Sequence, residues 1–315
     1  MKTFVRVSEV WVPTADRSSL ALSSGSYGAL EPFREVSRVM RFGYGQGLPG
    51  KAWQSMKPVV LHSFEGSFFL RTDAARAAGL ATAVAIPFFD GDELSSVVVF
   101  FCGSDSDLVG AIEIWEDVDG SENELRLTEG FYGAASSFEW VSRTAAFRAG
   151  HGLPGLVWAS GLPQIIPDLG RTSHFLRADA ALRSGIEHGL GLPCGSDSSP
   201  AVVTMLSGSE TPIARRIEIW VPVAGGDALR FHDGYCDLDP DFGADLALSS
   251  IASGAGSIGR AMSERVPQIL VDPSTEDSVV MSRAARVGLR SMLAMPIVSE
   301  GRLVAVVTMY THGAN

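Results

Sequence analysis

The chain has 315 residues, 46% of them hydrophobic, with 25 basic against 36 acidic side chains and a formal charge of −11. That length and apolar content allow a sizeable core and two or three domains, while the negative field repels phosphate backbones and anionic lipid surfaces, so neither nucleic acid nor membrane is expected as a partner. Residues Met1-Lys2-Thr3-Phe4-Val5-Arg6-Val7 hold no apolar run fit for a secretory signal, and no stretch of about 18 apolar residues exists for a membrane span, which leads us to expect a soluble, cytoplasmic protein.

One stretch recurs. Gly45-Gln46-Gly47-Leu48-Pro49-Gly50-Lys51-Ala52-Trp53 returns 105 residues later as Gly150-His151-Gly152-Leu153-Pro154-Gly155-Leu156-Val157-Trp158, and a weaker copy, Gly254-Ala255-Gly256-Ser257-Ile258-Gly259, follows after a further 104. Trp11, Trp115 and Trp220 keep the same beat, as do Phe33, Phe138 and Phe242. The period is too long for a solenoid repeat of roughly 20 to 50 residues. Three whole domains of one type are therefore expected, over residues 1–107, 108–211 and 212–315.

Each unit opens on a strand, Val7 to Val12 in the first and Ile217 to Val221 in the third, where Val10 and Val12 alternate with Trp11 so that both faces would be covered. A polar turn (residues 13–17, 117–123 and 224–227) leads to a second strand, Leu20-Ala21-Leu22 or Leu125-Arg126-Leu127, and the pair reads as an antiparallel hairpin. Glu31-Pro32-Phe33 then starts a helix with proline near the first helical position; Phe33, Val36, Val39 and Met40 stand at helical spacing and would face the core. The glycine cluster ends it, and a short helix runs through Trp53 to Pro58. Short strands Val59-Val60-Leu61, Gln164-Ile165-Ile166 and Gln268-Ile269-Leu270 come next, followed by a loop and a helix that Gly79, Gly185 or Gly288 closes. Two long β-branched strands, Ala81 to Phe88 and Ser96 to Cys102 in the first unit, complete the pattern and would lie at its centre. The order predicts an α+β fold: in each unit a central antiparallel sheet with helices packed on its faces.

The residues Gly47-Leu48-Pro49-Gly50 with Ala52-Trp53, Lys57-Pro58-Val59-Val60, Phe69-Leu70-Arg71, Ala75 to Leu80 and Ala83 to Phe88 resemble the GAF domain, and Glu9-Val10-Trp11-Val12-Pro13 looks like the opening of GAF modules in signalling kinases and photoreceptors. The resemblance spans nearly the whole chain as three tandem copies, and it implies PAS-like α+β sandwiches whose cupped sheet can hold a small molecule. It also implies a non-catalytic regulatory role. The chain lacks the long flanking helices through which many GAF proteins dimerise. It also lacks the asparagine-lysine-phenylalanine-aspartate-glutamate set of cyclic-nucleotide-binding members and the histidine-flanked cysteine of bilin-binding phytochromes, so ligand and cofactor stay open.

A small-molecule sensor is the leading expectation, with a protein-interaction or dimerisation scaffold as the alternative and a signalling protein or a second copy as its partner. The candidate ligand residues are those expected to overhang the sheet: Trp53, His62, Phe68, Phe69, Arg71 and Asp73 in the first unit, and Trp158, Asp168, His174, Phe175, Arg177 and Asp179 in the second. An apolar wall with a few converging polar groups is how small-ligand pockets are made. The bland alternative pairs Arg71 and Arg177 with carboxylates such as Asp73, or with loop carbonyls, to hold the glycine loop. In the third unit the corresponding set, Asp272, Glu276, Val279, Met281 and Arg283, keeps less of that pattern.

All three glycine clusters match Gly-x-Gly-x-x-Gly, but a dinucleotide site needs a buried strand before the loop and a helix of some length after it. Tight turning is the expected use of these glycines. Cys102, Cys194 and Cys236 occupy three different places in the repeat, which fits inert thiols better than a disulfide framework or a thiol-based small-molecule reductase. The six histidines show no metal-ligand spacing, so no metal site is expected.

Overall fold

A computed structural model of the chain describes residues 2–103, 108–118, 120, 124–196 and 199–312. The turn expected over 117–123 and the boundary expected at residue 107 fall wholly or partly outside them. Unit 1 contains β1 (Val5–Pro13), β2 (Ser19–Ser26), α1 (Glu31–Val39), β3 (Arg41–Gly43), α2 (Gly47–Ser55), β4 (Val59–Leu61), α3 (Thr72–Ala77), β5 (Leu80–Asp90) and β6 (Glu93–Gly103). Unit 2 repeats the series with β7 (Val109–Glu116), β8 (Leu125–Gly133), α4 (Ser136–Thr144), β9 (Ala146–Phe147), α5 (Gly152–Ser160), β10 (Gln164–Ile166), α6 (Ala178–Arg183), β11 (His188–Ser196) and β12 (Ser199–Ser207). Unit 3 has β13 (Arg216–Pro222), β14 (Ala228–Cys236), α7 (Phe242–Leu246), β15 (Ser250–Ala252), α8 (Gly256–Glu264), β16 (Gln268–Leu270), α9 (Val279–Arg286), β17 (Ser291–Ser299) and β18 (Arg302–Thr311).

Each unit folds into one six-stranded antiparallel sheet; the first runs β3-β2-β1-β6-β5-β4, and the other two follow the same path. The fold is α+β, as expected. The three-residue strand after the first helix, β3 in unit 1, was not anticipated, because its sequence, Arg41-Phe42-Gly43, is too short to show a period.

Successive side chains on a strand point to opposite faces, and here both faces are covered. On β5 and β6, Ala83, Ala85, Val97, Val99 and Phe101 pack beneath the helices of unit 1, while Val84, Ile86, Val98, Phe100 and Cys102 join a core shared with the other two sheets. Leu190, Leu192, Val203 and Met205 of unit 2, and Leu293, Met295, Val307 and Met309 of unit 3, reach the same shared core. The protein thus has one helix-side core per unit and a fourth core at the centre where three sheets meet.

The units close into a ring. The end strand of each sheet approaches the second strand of the next unit: β4 lies by β8, β10 by β14, and β16 by β2. Lys57–Glu116 (3.2 Å) and His62–Glu129 (3.2 Å) span the first junction, the Tyr235 hydroxyl and His188 Nε2 (2.9 Å) the second, and Arg265–Asp90 (2.7 Å) the third. Head-to-tail contacts of this kind close when the rotation per unit allows it, and here three units in one chain complete the turn.

Helix α1 differs from the expectation in its rotation. Phe33 and Ser37 form its buried face, while Val39 is 71% exposed and Val36 37%. The reason lies in the helix-side core, which needs a polar group from this helix.

Candidate functional site

The glycine cluster turns out to be a closed turn. The Gly45 amide donates to the Gly50 carbonyl at 2.9 Å, and a Cβ on Gly50 would stand 2.2 Å from the Gly43 carbonyl oxygen. Gly150–Gly155 and Gly254–Gly259 repeat the bond at 2.7 and 2.8 Å. An antiparallel edge strand precedes each loop, so the arrangement lacks the buried strand on which a dinucleotide fingerprint depends.

Beneath the helices of unit 1 sits an ion pair. Glu9, on β1, is wholly buried and accepts from Arg71 through both carboxylate oxygens, Nη1 to Oε1 at 2.6 Å and Nη2 to Oε2 at 2.9 Å. The Trp11 indole donates to Oε2 and the Tyr27 hydroxyl to Oε1, each at 2.9 Å. Arg71 also donates to Ser37 Oγ, which in turn donates to the Phe33 carbonyl at 2.8 Å. Rings of Phe33 (4.8 Å), Phe101 (5.2 Å) and Trp11 (5.3 Å) surround the guanidinium carbon. A buried charge has to be paired and hydrogen-bonded, since desolvation costs several kcal/mol per ion; this one is.

Unit 2 repeats the arrangement with Glu113, Arg177, Trp115, Tyr132 and Ser142, at 2.6 and 2.9 Å for the bidentate pair, and adds the Thr204 hydroxyl, which donates to Glu113 at 2.7 Å. Burial pushes the Glu113 carboxyl up, but the Arg177 guanidinium, together with hydrogen bonds from Arg177, Ser142 and Thr204, outweighs it and holds the group below its ordinary value. In unit 3, Glu218 accepts from Arg216 Nε at 2.6 Å, from the Trp220 indole at 2.8 Å, from Thr308 at 2.9 Å and from Tyr310 at 3.1 Å. Arg71 Nε, Arg177 Nε and Arg216 Nη1 are buried without a hydrogen-bond partner; each guanidinium faces aromatic rings on that account.

The structure splits the predicted ligand set. Phe69, Arg71, Phe175 and Arg177 come together inside the two helix-side cores, each at most 6% exposed. The arginines pair with Glu9 and Glu113, not with carboxylates of the Asp73 kind: Asp73 lies at the surface against Arg76. Trp53 and Trp158 are half-buried on α2 and α5, and Trp53 meets Tyr44 edge-on at 5.3 Å. His62 reaches Glu129 of the next unit, and Asp168 accepts from the Gly170 amide at 2.9 Å. Phe68, His174 and Asp179 are exposed. The sequence reading missed the glutamates themselves. The signal was present as Glu9-Val10-Trp11, Glu113-Ile114-Trp115 and Glu218-Ile219-Trp220, one acid at the same strand position in all three units.

A separate opening lies at the third junction, on the far side of the sheets from these ion pairs. It has about 530 Å³ of empty space, counting the part open to solvent, and is lined by both unit 1 and unit 3, including Arg6, Ser8, Ser26, Leu293, Met309 and His312. A smaller one of about 270 Å³ lies at the second junction, beside His188 and Tyr235.

Residues 219–315 match the sequence family described as the GAF domain. Among solved structures, the chain is similar to the GAF domain of A. aeolicus nlh2 in an inactive state, with 23% identity over 32% of this chain and 59% of that one and a TM-score of 0.26. It is also similar to free methionine-R-sulfoxide reductase from Neisseria meningitidis in complex with its substrate (13% identity, 31% of this chain, 52% of that one, TM-score 0.25). A third is the GAF domain/HD domain protein from Geobacter sulfurreducens (19%, 32%, 66%, TM-score 0.27). The aligned part spans between 52% and 66% of the length of these structures. No curated protein matches the chain. Among the described residues, no helix is long and apolar enough to cross a membrane.

Proposed function

We propose, for a chain built of three tandem GAF-like domains, a non-catalytic regulatory protein that senses a small molecule through the ring the units form together. The observation that carries this reading is an asymmetry. The three helix-side cores are filled by their own ion pairs and aromatic rings, while a junction between units stays open. A ligand at a junction touches two units at once, so its binding free energy can shift how they sit, which is what a sensor requires.

Burial pushes the thiols of Cys102, Cys194 and Cys236 above their ordinary value. Thiol chemistry runs through the thiolate, so this supports a non-catalytic role over a thiol reductase. A second reading, docking of a protein partner, draws on α4, which leaves Trp140 71% exposed.

Native mass spectrometry of freshly purified protein, followed by a thermal-shift screen of small metabolites, tests the sensor reading. A retained or saturable small molecule is expected. A bare mass with no stabilising compound in the screen would overturn it, and light scattering against Trp140→Ala would then examine the docking reading.

A further inference from the structure

The three junctions are built from equivalent residues, and comparing them shows what the third one lacks. The β1–β2 register pairs Ser8 with Ser26, as β7–β8 pairs Ile112 with Phe131 and β13–β14 pairs Ile217 with Tyr235. Ser26, Phe131 and Tyr235 therefore hold the same place. Phe131 fills the first junction, its ring 5.4 Å from Phe4. Tyr235 narrows the second, its ring 4.5 Å from His188, and leaves only the smaller opening there. At the third, Ser26 stands for the aromatic ring, and Ser291, which pairs with Thr311 as His188 pairs with Ser207, stands for the histidine. Two small hydroxyls replace two rings, and the cleft opens there.

The charge pattern changes at the same place. Two residues before Ile217 lies Arg215, two after Tyr235 lies Asp237, and the two form an ion pair. The equivalent residues of unit 1 are Arg6 and Gly28, and both line the cleft. Arg6 thus has the place of a paired arginine whose carboxylate has been deleted. Its side chain donates to the Gly79 carbonyl at 3.3 Å, and it pairs with no carboxylate among the described residues. Arg6 is also the extra residue of a bulge, since Val5 pairs with Cys102 and Val7 with Phe101; bulges of this kind re-aim a side chain. Among the described residues no aspartate or glutamate lines the cleft, and Ser8, Ser26, Ser291 and Thr311 add hydroxyl donors. Ile213, Leu293 and Met309 supply an apolar wall.

We propose that the cleft at the third junction binds a small monocarboxylate, with the carboxylate on Arg6, where Asp237 stands in unit 3, and the short tail on Ile213, Leu293 and Met309. This rests on the sensor reading and assigns its site and ligand class. A charged hydrogen bond is worth enough to change affinity about tenfold or more, so an uncharged amide of the same shape is the natural control.

The test is calorimetric titration of the full chain with acetate, propionate and butyrate, each against its amide. Saturable binding of at least one acid is expected, about tenfold or more tighter than its amide. Three variants locate it. Gly28→Asp restores the internal carboxylate; the backbone there has φ of 55°, which aspartate tolerates better than most residues, and binding should be lost. Ser26→Tyr with Ser291→His copies the second junction and should also abolish binding, and Arg6→Gln should weaken it about tenfold or more. Thermal melts verify that each variant is folded, and Arg6→Gln decides the matter if the larger changes unfold the chain. Equal affinity for acid and amide, no binding of any of the three acids, or binding unchanged in folded variants overturns this site. In any of those cases the sensor reading survives if another molecule is retained in native mass spectra.

Discussion

In units 1 and 2 the buried glutamate takes its cation from far along the chain, Arg71 or Arg177 at the head of a short helix, whereas in unit 3 the cation is Arg216, two residues away on the same strand. The tyrosine has moved as well: Tyr27 directly follows the second strand and Tyr132 lies on it, whereas Tyr310 comes from the last. The positions left behind hold Val280 and Cys236, both buried, and Arg216 and Tyr310 stand where unit 1 has Val7 and Phe101. A carboxylate out of water requires a cation and donors within reach, but nothing in that requirement says which strand or loop supplies them. The acid is the fixed point of each unit, and its partners are exchangeable.

The largest expected effect tests that exchange. Arg71→Met puts an apolar residue in unit 1 where unit 3 also has one, Val280, and leaves Glu9 buried without its cation, which should cost about 3–5 kcal/mol, read as a fall in the denaturant midpoint. Adding Val7→Arg and Phe101→Tyr transplants the rest of unit 3's solution and should recover a large share of the loss. A single variant as stable as the wild type, or a triple variant no better than the single, would show that the two arrangements are not alternatives for one need.

The repeat and the chain order of the five longer or buried strands were legible because they rest on local signals: tryptophan at one strand position, and glycines in turns where a side chain would strike backbone, as Gly50 would against Gly43. The ion pairs were not legible, because an acid flanked by Val10 and Trp11 reads as the solvent side of a strand unless the sheet is known to be covered on both faces. The rotation of α1 was misread for a related reason. Counting apolar residues favoured Val36 and Val39, but Ser37 faces inward to receive Arg71. The ring was hinted at by the nearly unbroken apolar run Val97-Val98-Val99-Phe100-Phe101 on β6, which does not say what covers its second face. The junction cleft depends on which residues of distant units become neighbours, and that only the folded ring decides.

A middle-sized effect comes from pH. The Glu113 carboxyl is held below its ordinary value in the fold, so the unfolded chain binds the proton more readily and acid favours unfolding. The stability it contributes is complete above the unfolded value of about 4.3 and is lost as pH falls through the folded one, at up to about 1.4 kcal/mol per pH unit. Removing the cation inverts the sign. In Arg177→Met the guanidinium is gone, and burial, the largest influence on Glu113, raises its value against the remaining hydrogen bonds such as that from Thr204, so protonation relieves the penalty. The gap in denaturant midpoint between wild type and Arg177→Met should narrow from pH 7 to pH 4, and a gap that stays constant or widens would remove the pairing from the account of stability.

The smallest effect belongs to the ion pair at the outer edge of the third junction, and it sets surface charge against buried charge. Arg265 Nη1 donates to both oxygens of Asp90 at 2.7 Å, distances as short as those of the two-nitrogen pair of Arg71 on Glu9. The two side chains are 38% and 43% exposed, however, where Arg71 and Glu9 are sealed. Water and salt screen an exposed pair, and holding two side chains in place costs entropy, so Asp90→Asn should lower stability by less than about 1 kcal/mol and by less still in high salt. If it costs as much as Arg71→Met, the ring is held shut at its rim, and the shared core of Val98, Leu192 and Val307 is not what closes it. A small cost leaves that apolar centre as the closure, and it leaves the rim free to loosen around the cleft without unfolding a unit.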